Sequence, residues 1–579
     1  MHDSLILGFF LRIAAIYQQC GLKHLIDRIF NPLKKKWNDS FLYDLLFLKP
    51  AEDQNCKLLS GFLRVINGII RWLSKKLQGF FRLFSDSAVT YGTRSTVNYF
   101  AALFHKSFFG RLFYQYLELK IPEGYSSVNK KAVFYTIGTW LLISMAGIVL
   151  LPLKYAVLLS GGIVFAALVF VYPVFGVFLV VIGAAFLPTM ALVGIILLTF
   201  VSFAVKLMKQ PKKPFKLDLT GGAIGIFVVI ILISSLFSYE RKESLKVAAV
   251  LLVFMAFYML LYNLIENKRQ LRALLSMFLL TGLGVSLIGI YQNFAGTAAG
   301  NVWIDQDMFS DIQGRIYSTF DNPNVFGEYL LLVIPLSFAW MIQRKNPLAK
   351  SVACINTLLL CLCMVFTYSR GCWLGLIFAV VLFTAFSNKH YFVLFGIVGA
   401  VAVMFLPDSI MNRFTSIGNL EDSSSLYRLF IYLGSIGLLR HFWFSGIGPG
   451  TPAFNRIYPY YSYSTIIAPH SHNLYLQTFI EYGLAGMVSF LTICCVFFQR
   501  AFHTVKEYGE NKEKTIVIAL ISGMAGYLLQ SVFDYTFYNY RMILIFYTYL
   551  CFGSLYRKFL CIEKEQKNAD TRRNQTIRH

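Results

Sequence analysis

The chain has 579 residues, of which 57% are hydrophobic and only 14% are charged, and its formal net charge is +24. Soluble domains carry roughly 25% charged residues, so this composition excludes an ordinary soluble protein and predicts a polytopic membrane protein. In a soluble chain such a net charge would indicate nucleic acid as a partner. Here the basic residues lie in short loops and at both ends, as the positive-inside rule predicts for membrane proteins. We therefore expect no nucleic-acid partner.

Residues 1–132 form a basic region, with 19 Lys/Arg against 9 Asp/Glu. Within it, apolar residues recur at helical spacing from Lys57 to Phe84 and alternate with Arg64, Arg71 and other basic residues. A basic amphipathic helix is typical of a segment that lies on an anionic membrane surface. We expect a cytoplasmic, membrane-surface region here; a soluble helical domain is the alternative.

From residue 133 onward, apolar stretches follow one another, each long enough to cross about 30 Å of hydrocarbon. They predict an all-α, polytopic transmembrane helical bundle of 12–14 spans within a domain covering 133–557. The candidate spans are 133–151, 155–171, 173–188, 190–208, 220–237, 245–264, 271–293, 325–343, 351–368, 371–387, 391–406, 474–497, 515–533 and 538–556.

Basic segments set the predicted orientation of this bundle. They are the loops 209–216, 266–272, 344–350 and 500–514 and the tail 558–579. Basic segments beside spans stay in the cytoplasm, so both termini are predicted to be cytoplasmic. Three other segments then lie outside the cytoplasm: 294–324, 368–371 and 407–473.

The loop 407–473 is the longest segment between spans. It shows helical periodicity over Ser424–Phe444, then a glycine-rich turn at 446–450 and a tyrosine-rich stretch at 458–463. We predict a partly helical, ordered cap over the outer face. The tyrosines fit either interfacial anchors or platforms that stack on sugar rings.

Four basic residues of the outer segments are candidate functional residues: Arg315, Arg370, Arg428 and His472. Ionisable residues at membrane depth are costly and are often functional. Asn322-Pro323-Asn324 predicts a turn that caps the next span, and the N–H groups of a helix N-terminus favour anions. The ten cysteines include no CxxC pair, so neither a disulfide framework nor a zinc site is indicated.

Four other charged residues in or near the outer segments and spans are expected to have different surroundings. Arg413 and Arg440, which flank the same outer loop, are expected to contact lipid headgroups or solvent. Glu328 and Glu481 lie within spans and should face the bundle interior, where each could orient an arginine or carry a proton.

These outer segments resemble the O-antigen ligase and polymerase family of bacterial membrane glycosyltransferases. The most specific part is His472-Asn473, nine residues, then Gly483-Leu-Ala-Gly486, a pattern that the family carries at its catalytic histidine. The other matching parts are Arg315 to Gly327, Ser369-Arg370-Gly371, Arg428 and the turn 446–450.

The resemblance implies transfer of a glycan from an undecaprenyl-diphosphate carrier to an acceptor hydroxyl, on the extracytoplasmic face of the inner or plasma membrane, without metal or cofactor. It implies His472 as general base, because histidine titrates near neutral pH. Arg315, Arg370 and Arg428 would bind the diphosphate, since guanidinium groups contact phosphate bidentately. Asn473, Asn324 and Ser369 would support them, and His470 is a weaker candidate for the base.

The sequence is compatible with three kinds of acceptor. A glycan, lipid or protein acceptor would correspond to a polymerase, a ligase or a protein O-glycosyltransferase. The alternative class is a transporter or flippase of lipid-linked glycan or polysaccharide, in which repeat symmetry and broken helices are typical. A shallow pocket under the outer loop would favour transfer, and a cavity through the membrane midplane would favour transport.

Overall fold

The computed structural model describes residues 56–77, 79, 87–117, 129–210, 213–296, 314–388, 390–404, 407–415, 423–508 and 513–576. Residues 1–55 of the basic region, the segment 297–313 and the last three residues of the tail are among those outside the described residues. Within the described residues, the chain forms twenty α-helices, two short 3-10 helices and no β-strand. This confirms the predicted all-α bundle.

The first ten helices are α1 (Lys57–Lys76), α2 (Ala88–Lys106), α3 (Phe108–Leu117), α4 (Lys130–Leu150), α5 (Leu153–Val171), α6 (Pro173–Gly183), α7 (Thr189–Lys209), α8 (Leu219–Leu236), α9 (Arg241–Leu264) and α10 (Lys268–Phe294). The second ten are α11 (Pro323–Gln343), α12 (Pro347–Phe366), α13 (Arg370–Phe386), α14 (His390–Val403), α15 (Asp408–Thr415), α16 (Ser423–Phe442), α17 (Thr451–Ile457), α18 (Leu474–Glu507), α19 (Lys514–Gln530) and α20 (Tyr540–Thr576).

Among the described residues, nine helices are long and apolar enough to cross a membrane: α4, α5, α7 to α12 and α18. Each predicted span coincides with a helix, and the chain is a multi-pass membrane protein. The predicted span 173–188 is wrong in length, because α6 has only 11 residues and ends at Gly183. The chain then turns before Pro188, which has no N–H to donate to a continuing helix.

Helix α11 is the centre of the bundle. Most of its residues are buried, and it packs against α12, α13 and α19. The peripheral helices α4 and α5 instead expose apolar side chains such as Phe134, Leu142 and Leu158. Helices that are apolar all round face lipid, so α4 and α5 line the outside of the bundle.

The described residues of the segment 407–473 form a partly helical cap, as predicted. Helix α16 (Ser423–Phe442) closely matches the predicted Ser424–Phe444. A separate apolar cluster that includes Ile431, Phe454, Tyr458 and Ile480 packs the cap onto α18. The cap therefore rests on the helix that begins at the His472 motif.

A kink in α18 joins this cap to the bundle. Gly483 has φ +66°, which breaks the helix internally, and a side chain there would collide with the cap backbone at Phe444. The free backbone groups beside the kink bond to the cap: Ile447 N–H donates to Ile480 O at 2.9 Å, and Leu484 N–H to Trp443 O at 2.8 Å. Gly483 thus permits the backbone turn at which the cap meets α18.

Candidate active site

His472 lies directly before α18 and contacts an acidic residue from another part of the chain. Its Nδ1 is 3.1 Å from Oδ1 of Asp534, in the turn between α19 and α20. His472 is half-buried, and its backbone has φ +50°. A left-handed conformation in a non-glycine residue is sparsely populated and clusters at functional sites, where the surroundings maintain it.

Asp534 continues a line of hydrogen bonds from His472 to an arginine. Its Oδ2 accepts from Asn324 Nδ2 at 2.7 Å. Asn324 Oδ1 in turn accepts from Arg315 Nη2 at 2.8 Å. Arg315 Nε donates to Thr367 O at 2.7 Å. Four separate segments of the chain thus converge on one face, which we call the His472 face.

The turn that carries Asp534 is held by two buried glutamates. The Thr536 hydroxyl donates to Glu328 Oε2 at 2.5 Å. The Tyr535 hydroxyl donates to Glu481 Oε1 at 3.3 Å. Both glutamates face the interior, as expected. In these contacts they orient the turn of Asp534 and not an arginine.

Electrostatics keep Asp534 ionised. Burial alone would raise its pKa, but the hydrogen bond and charge of His472 and the charge of Arg428 outweigh burial and hold the pKa well below its usual range. Burial, together with the charges of Arg413 and Arg428, lowers the pKa of Arg315 to about 9. Arg315 therefore remains a cation at neutral pH.

The three predicted arginines occupy different positions at the site. Arg315 is buried, 6% exposed, and two of its nitrogens donate to protein oxygens. Arg370 is the first residue of α13, three positions after Thr367, and is half-buried. Arg428, on α16, is also half-buried, and its charge acts on both Arg315 and Asp534. Arg370 and Arg428 are thus the more accessible cations.

Arg413 corrects an expectation from the sequence. It was expected to contact lipid or solvent, but it is buried and its charge acts on Arg315. Helix α15 is short, and Arg413 in its last turn lies on the side that packs inward. Arg440, in contrast, is exposed as expected.

His470 supports His472. Its Nδ1 accepts the backbone N–H of His472 at 3.3 Å. Its ring stacks on Tyr538 at 5.0 Å, with an angle of 11° between the planes. Burial, reinforced by the nearby His472, lowers the pKa of His470 to about 3, so this ring is neutral at physiological pH. Its contacts suit a residue that positions the backbone of His472.

The predicted supporting residues have defined structural contacts. Asn473 caps α18 by accepting Leu476 N–H at 2.9 Å, and its Nδ2 donates to Val532 O at 2.9 Å. Ser369 is buried directly before α13 and contacts Cys372 Sγ at 3.2 Å. Asn324 is the link between Asp534 and Arg315 described above.

One group of ligand-type atoms is present at the site. His470, His472 and Asp534 each offer a possible metal ligand, and these atoms lie within 4.8 Å of one another. Nitrogen and oxygen ligands of this kind suit several divalent metals. The sequence did not predict this cluster, because Asp534 lies 62 positions from His472.

A groove of about 720 Å³ opens beside His470 on the same face. Polar and aromatic side chains line it, including Thr319, Asn322, Tyr540 and Tyr538, which also stacks on His470. Arg541 in the groove pairs with Asp321 at 2.9 Å. The volume falls within the roughly 300–1,000 Å³ of small-molecule sites.

Asp534 is the main site residue that sequence reasoning missed. It is the single acidic residue in the short segment between the last two predicted spans, 515–533 and 538–556. The predicted topology places this segment on the side of His472. A lone carboxylate in an outer turn was therefore a usable signal.

The model of the O-antigen ligase family matches residues 355–491. This segment contains Arg370, Arg428 and His472, whereas Arg315 and Asp534 lie outside it. No curated protein matches the chain significantly. The matched domain assigns a glycosyltransferase-like ligase activity in general terms, with a lipid-linked glycan and an acceptor as the kinds of partner. A domain of the O-antigen ligase family thus runs from within α12 to the His472 motif and the kink in α18 of this multi-pass membrane chain.

Proposed function

We propose that the protein transfers a glycan from an undecaprenyl-diphosphate carrier to an acceptor hydroxyl, at the extracytoplasmic face of the inner or plasma membrane. The observation that carries this proposal is the hydrogen-bonded line from His472 through Asp534 and Asn324 to Arg315. It couples a general base to a group of cations on one face of the bundle.

His472 acts as the general base. Its Nδ1–H donates to the Asp534 carboxylate, which fixes the tautomer and leaves Nε2 to accept the proton of the acceptor hydroxyl. The ionised Asp534 then stabilises the imidazolium that forms. General-base assistance of this kind contributes about 10²–10⁴-fold to the rate.

The arginines stabilise the leaving group. As the acceptor oxygen bonds to the anomeric carbon, the bond from that carbon to the diphosphate oxygen breaks, and the electron pair leaves with the lipid diphosphate. Arg370 and Arg428, which are half-buried, contact the diphosphate. Arg315 donates hydrogen bonds to Thr367 and Asn324 and adds positive charge from a buried position. A single displacement of this kind inverts the anomeric configuration.

The groove beside His470 receives the acceptor sugar. Its only charges among the described lining residues, Arg541 and Asp321, are paired. A neutral, polar and aromatic surface suits sugar hydroxyls and rings better than a diphosphate. Tyr538 lines the groove and stacks on His470, which in turn contacts the proposed base, His472.

Metal independence is part of this proposal. Arginine cations perform the charge stabilisation that a metal ion supplies in other transferases. Asp534, the only carboxylate in the possible metal cluster, already accepts hydrogen bonds from His472 and Asn324.

The competing class is a transporter or flippase of lipid-linked glycan. The position of the groove favours transfer, because its lining residues lie at helix ends and in connecting turns, including Thr189 at the start of α7 and Tyr540 at the start of α20. The deciding experiment incubates purified protein with an undecaprenyl-diphosphate glycan and with saccharide, lipid A-core or peptide acceptors in turn. A new glycosidic product supports the proposal and identifies the acceptor. Movement of intact donor across vesicles without product would support transport.

A further inference from the structure

A second polar pocket lies at the opposite face of the bundle. It has a volume of about 260 Å³ and is lined by Lys206, Lys213, Lys216 and Lys558, with Glu266 as the one carboxylate and Asn263 beside it. We call it the lysine pocket. Four lysines and one glutamate leave three net positive charges. Such a pocket favours an anion.

The helices that line both pockets fix the position of the lysine pocket. Helix α7 contributes Thr189 to the groove and Lys206 to the lysine pocket, and α20 contributes Tyr540 and Lys558. Thr189 and Lys206 are 17 positions apart, and Tyr540 and Lys558 are 18 positions apart. At a helical rise of 1.5 Å per residue, both separations correspond to about 26 Å. This is close to the ~30 Å of the bilayer core, so the two pockets lie at opposite membrane surfaces.

The lysines are not neutralised within the pocket. Lys206 and Lys213 share Glu266, at 2.9 Å and 3.5 Å. Lys558 Nζ donates to the carbonyls of Tyr262 and Ile265 at 2.8 Å and 3.3 Å. Among the described residues, no carboxylate forms an ion pair with Lys558 or with the exposed Lys216.

Helix α1 places the pocket at a lipid surface. Asn67 of α1 bonds to both the N–H and the carbonyl of Phe215, at 2.7 Å and 3.1 Å, directly beside Lys216. The outer side of α1 exposes an apolar stripe at helical spacing: Phe62, Val65, Ile69 and Trp72. A helix that combines such a stripe with basic residues lies in the membrane interface.

The pocket itself also has an apolar side. Phe203, Leu207 and Ile562 line it together with the lysines. We propose that the lysine pocket binds a phosphate-bearing anion, and that this anion is the headgroup of an anionic phospholipid whose acyl chain continues along the apolar side. Basic pockets between transmembrane helices bind lipid headgroups in this manner.

The test uses the full-length protein in mixed micelles with equal amounts of phosphatidylglycerol and phosphatidylcholine. Native mass spectrometry then counts each lipid that the protein retains. We expect wild-type protein to enrich phosphatidylglycerol. Each removed lysine should reduce that enrichment roughly five-fold, so Lys213→Gln/Lys216→Gln should lose most of it. Both lysines are exposed, so this variant should fold normally.

Lys350→Gln is the matched control, because Lys350 is exposed in another predicted cytoplasmic loop and does not line the pocket. It should retain the wild-type enrichment. Equal retention of both lipids by wild-type protein, or an equal loss in the Lys350 variant, would overturn the proposal. A second arm adds millimolar inorganic phosphate. Displacement of phosphatidylglycerol by phosphate would assign the pocket to a soluble phosphate compound and overturn the lipid assignment.

Discussion

Asp534 Oδ1 lies 3.1 Å from Nδ1 of His472, although 62 positions separate the two residues in the chain. In the proposed mechanism, this pairing leaves Nε2 of His472 to face the acceptor. It also links the family's histidine motif to a carboxylate outside the matched segment 355–491. The proposed mechanism therefore depends on a residue that the motif does not contain.

Asp534→Asn should lower turnover by on the order of 10²-fold or more, because an amide in place of the carboxylate favours the wrong tautomer of His472. Donor binding should change little. Initial rates and donor affinity measured on the same preparation check this, and the conservative variant Asp534→Glu should recover part of the rate. Equal rates in wild type and Asp534→Asn would show that Asp534 does not orient the base.

The same variant should reveal a pH-dependent stability. The pKa of Asp534 is lowered in the folded state, so its stabilising contribution is complete above about pH 4, the ordinary pKa of aspartate, and declines as the pH falls below that value. Thermal unfolding from neutral pH down to about pH 3 should show the gap between wild type and Asp534→Asn narrowing below about pH 4. A gap that widens there would contradict the assignment.

Replacing the three arginines should affect two different quantities, donor binding and turnover. Arg428→Lys and Arg370→Lys should weaken donor binding roughly ten-fold or more, since lysine loses the bidentate phosphate contact. Arg315→Lys should instead lower turnover with a smaller effect on donor affinity, because it removes the bond that positions Asn324. Arg440→Lys, an exposed position on the same helix as Arg428, is the control. Unchanged donor affinity in both the Arg370 and Arg428 variants would contradict the diphosphate site.

Filling the groove should block the acceptor. Thr189→Trp places a large side chain among the lining residues, so the KM for the acceptor should rise several-fold while donor affinity stays unchanged. Met190→Trp, one residue along and 73% exposed, should behave like wild type. If the Thr189 variant weakened donor binding instead, the groove would belong to the donor.

Chelation tests the possible metal cluster. We expect turnover to be unchanged by EDTA, because arginines and Asp534 perform the charge stabilisation in the proposed mechanism. Loss of activity with EDTA and recovery with one divalent metal would contradict metal independence. If His470→Ala then abolished the recovery, the cluster of His470, His472 and Asp534 would be the metal site.

Much of the fold could be predicted because span lengths and loop charges are local properties. The 14 predicted spans and helix α16 correspond to observed helices. The length of α6 was wrong, since the apolar run 173–188 continues through the turn before Pro188. The kink at Gly483 was missed because it depends on the cap at Phe444, which is a tertiary contact.

The site was only partly predictable for the same reason. His472, Arg370 and Arg428 lie in motifs that can be recognised one segment at a time. Asp534 joins the site through its contacts with His472 and Asn324, and only folding brings these residues together. The burial of Arg413 depends on how the eight-residue helix α15 packs, and so short a sequence segment does not indicate its buried side.

The catalytic role of His472 is the central claim, and turnover measured beside donor binding tests it most directly. The comparison uses wild type, His472→Ala and His470→Ala, each correctly inserted in the membrane. We predict that His472→Ala loses about 10²-fold or more in turnover and retains nearly normal donor binding. His470→Ala should lose much less, because its neutral ring only positions the backbone of His472. Near-normal turnover in His472→Ala would contradict the account and leave His472 as an interfacial residue paired with Asp534.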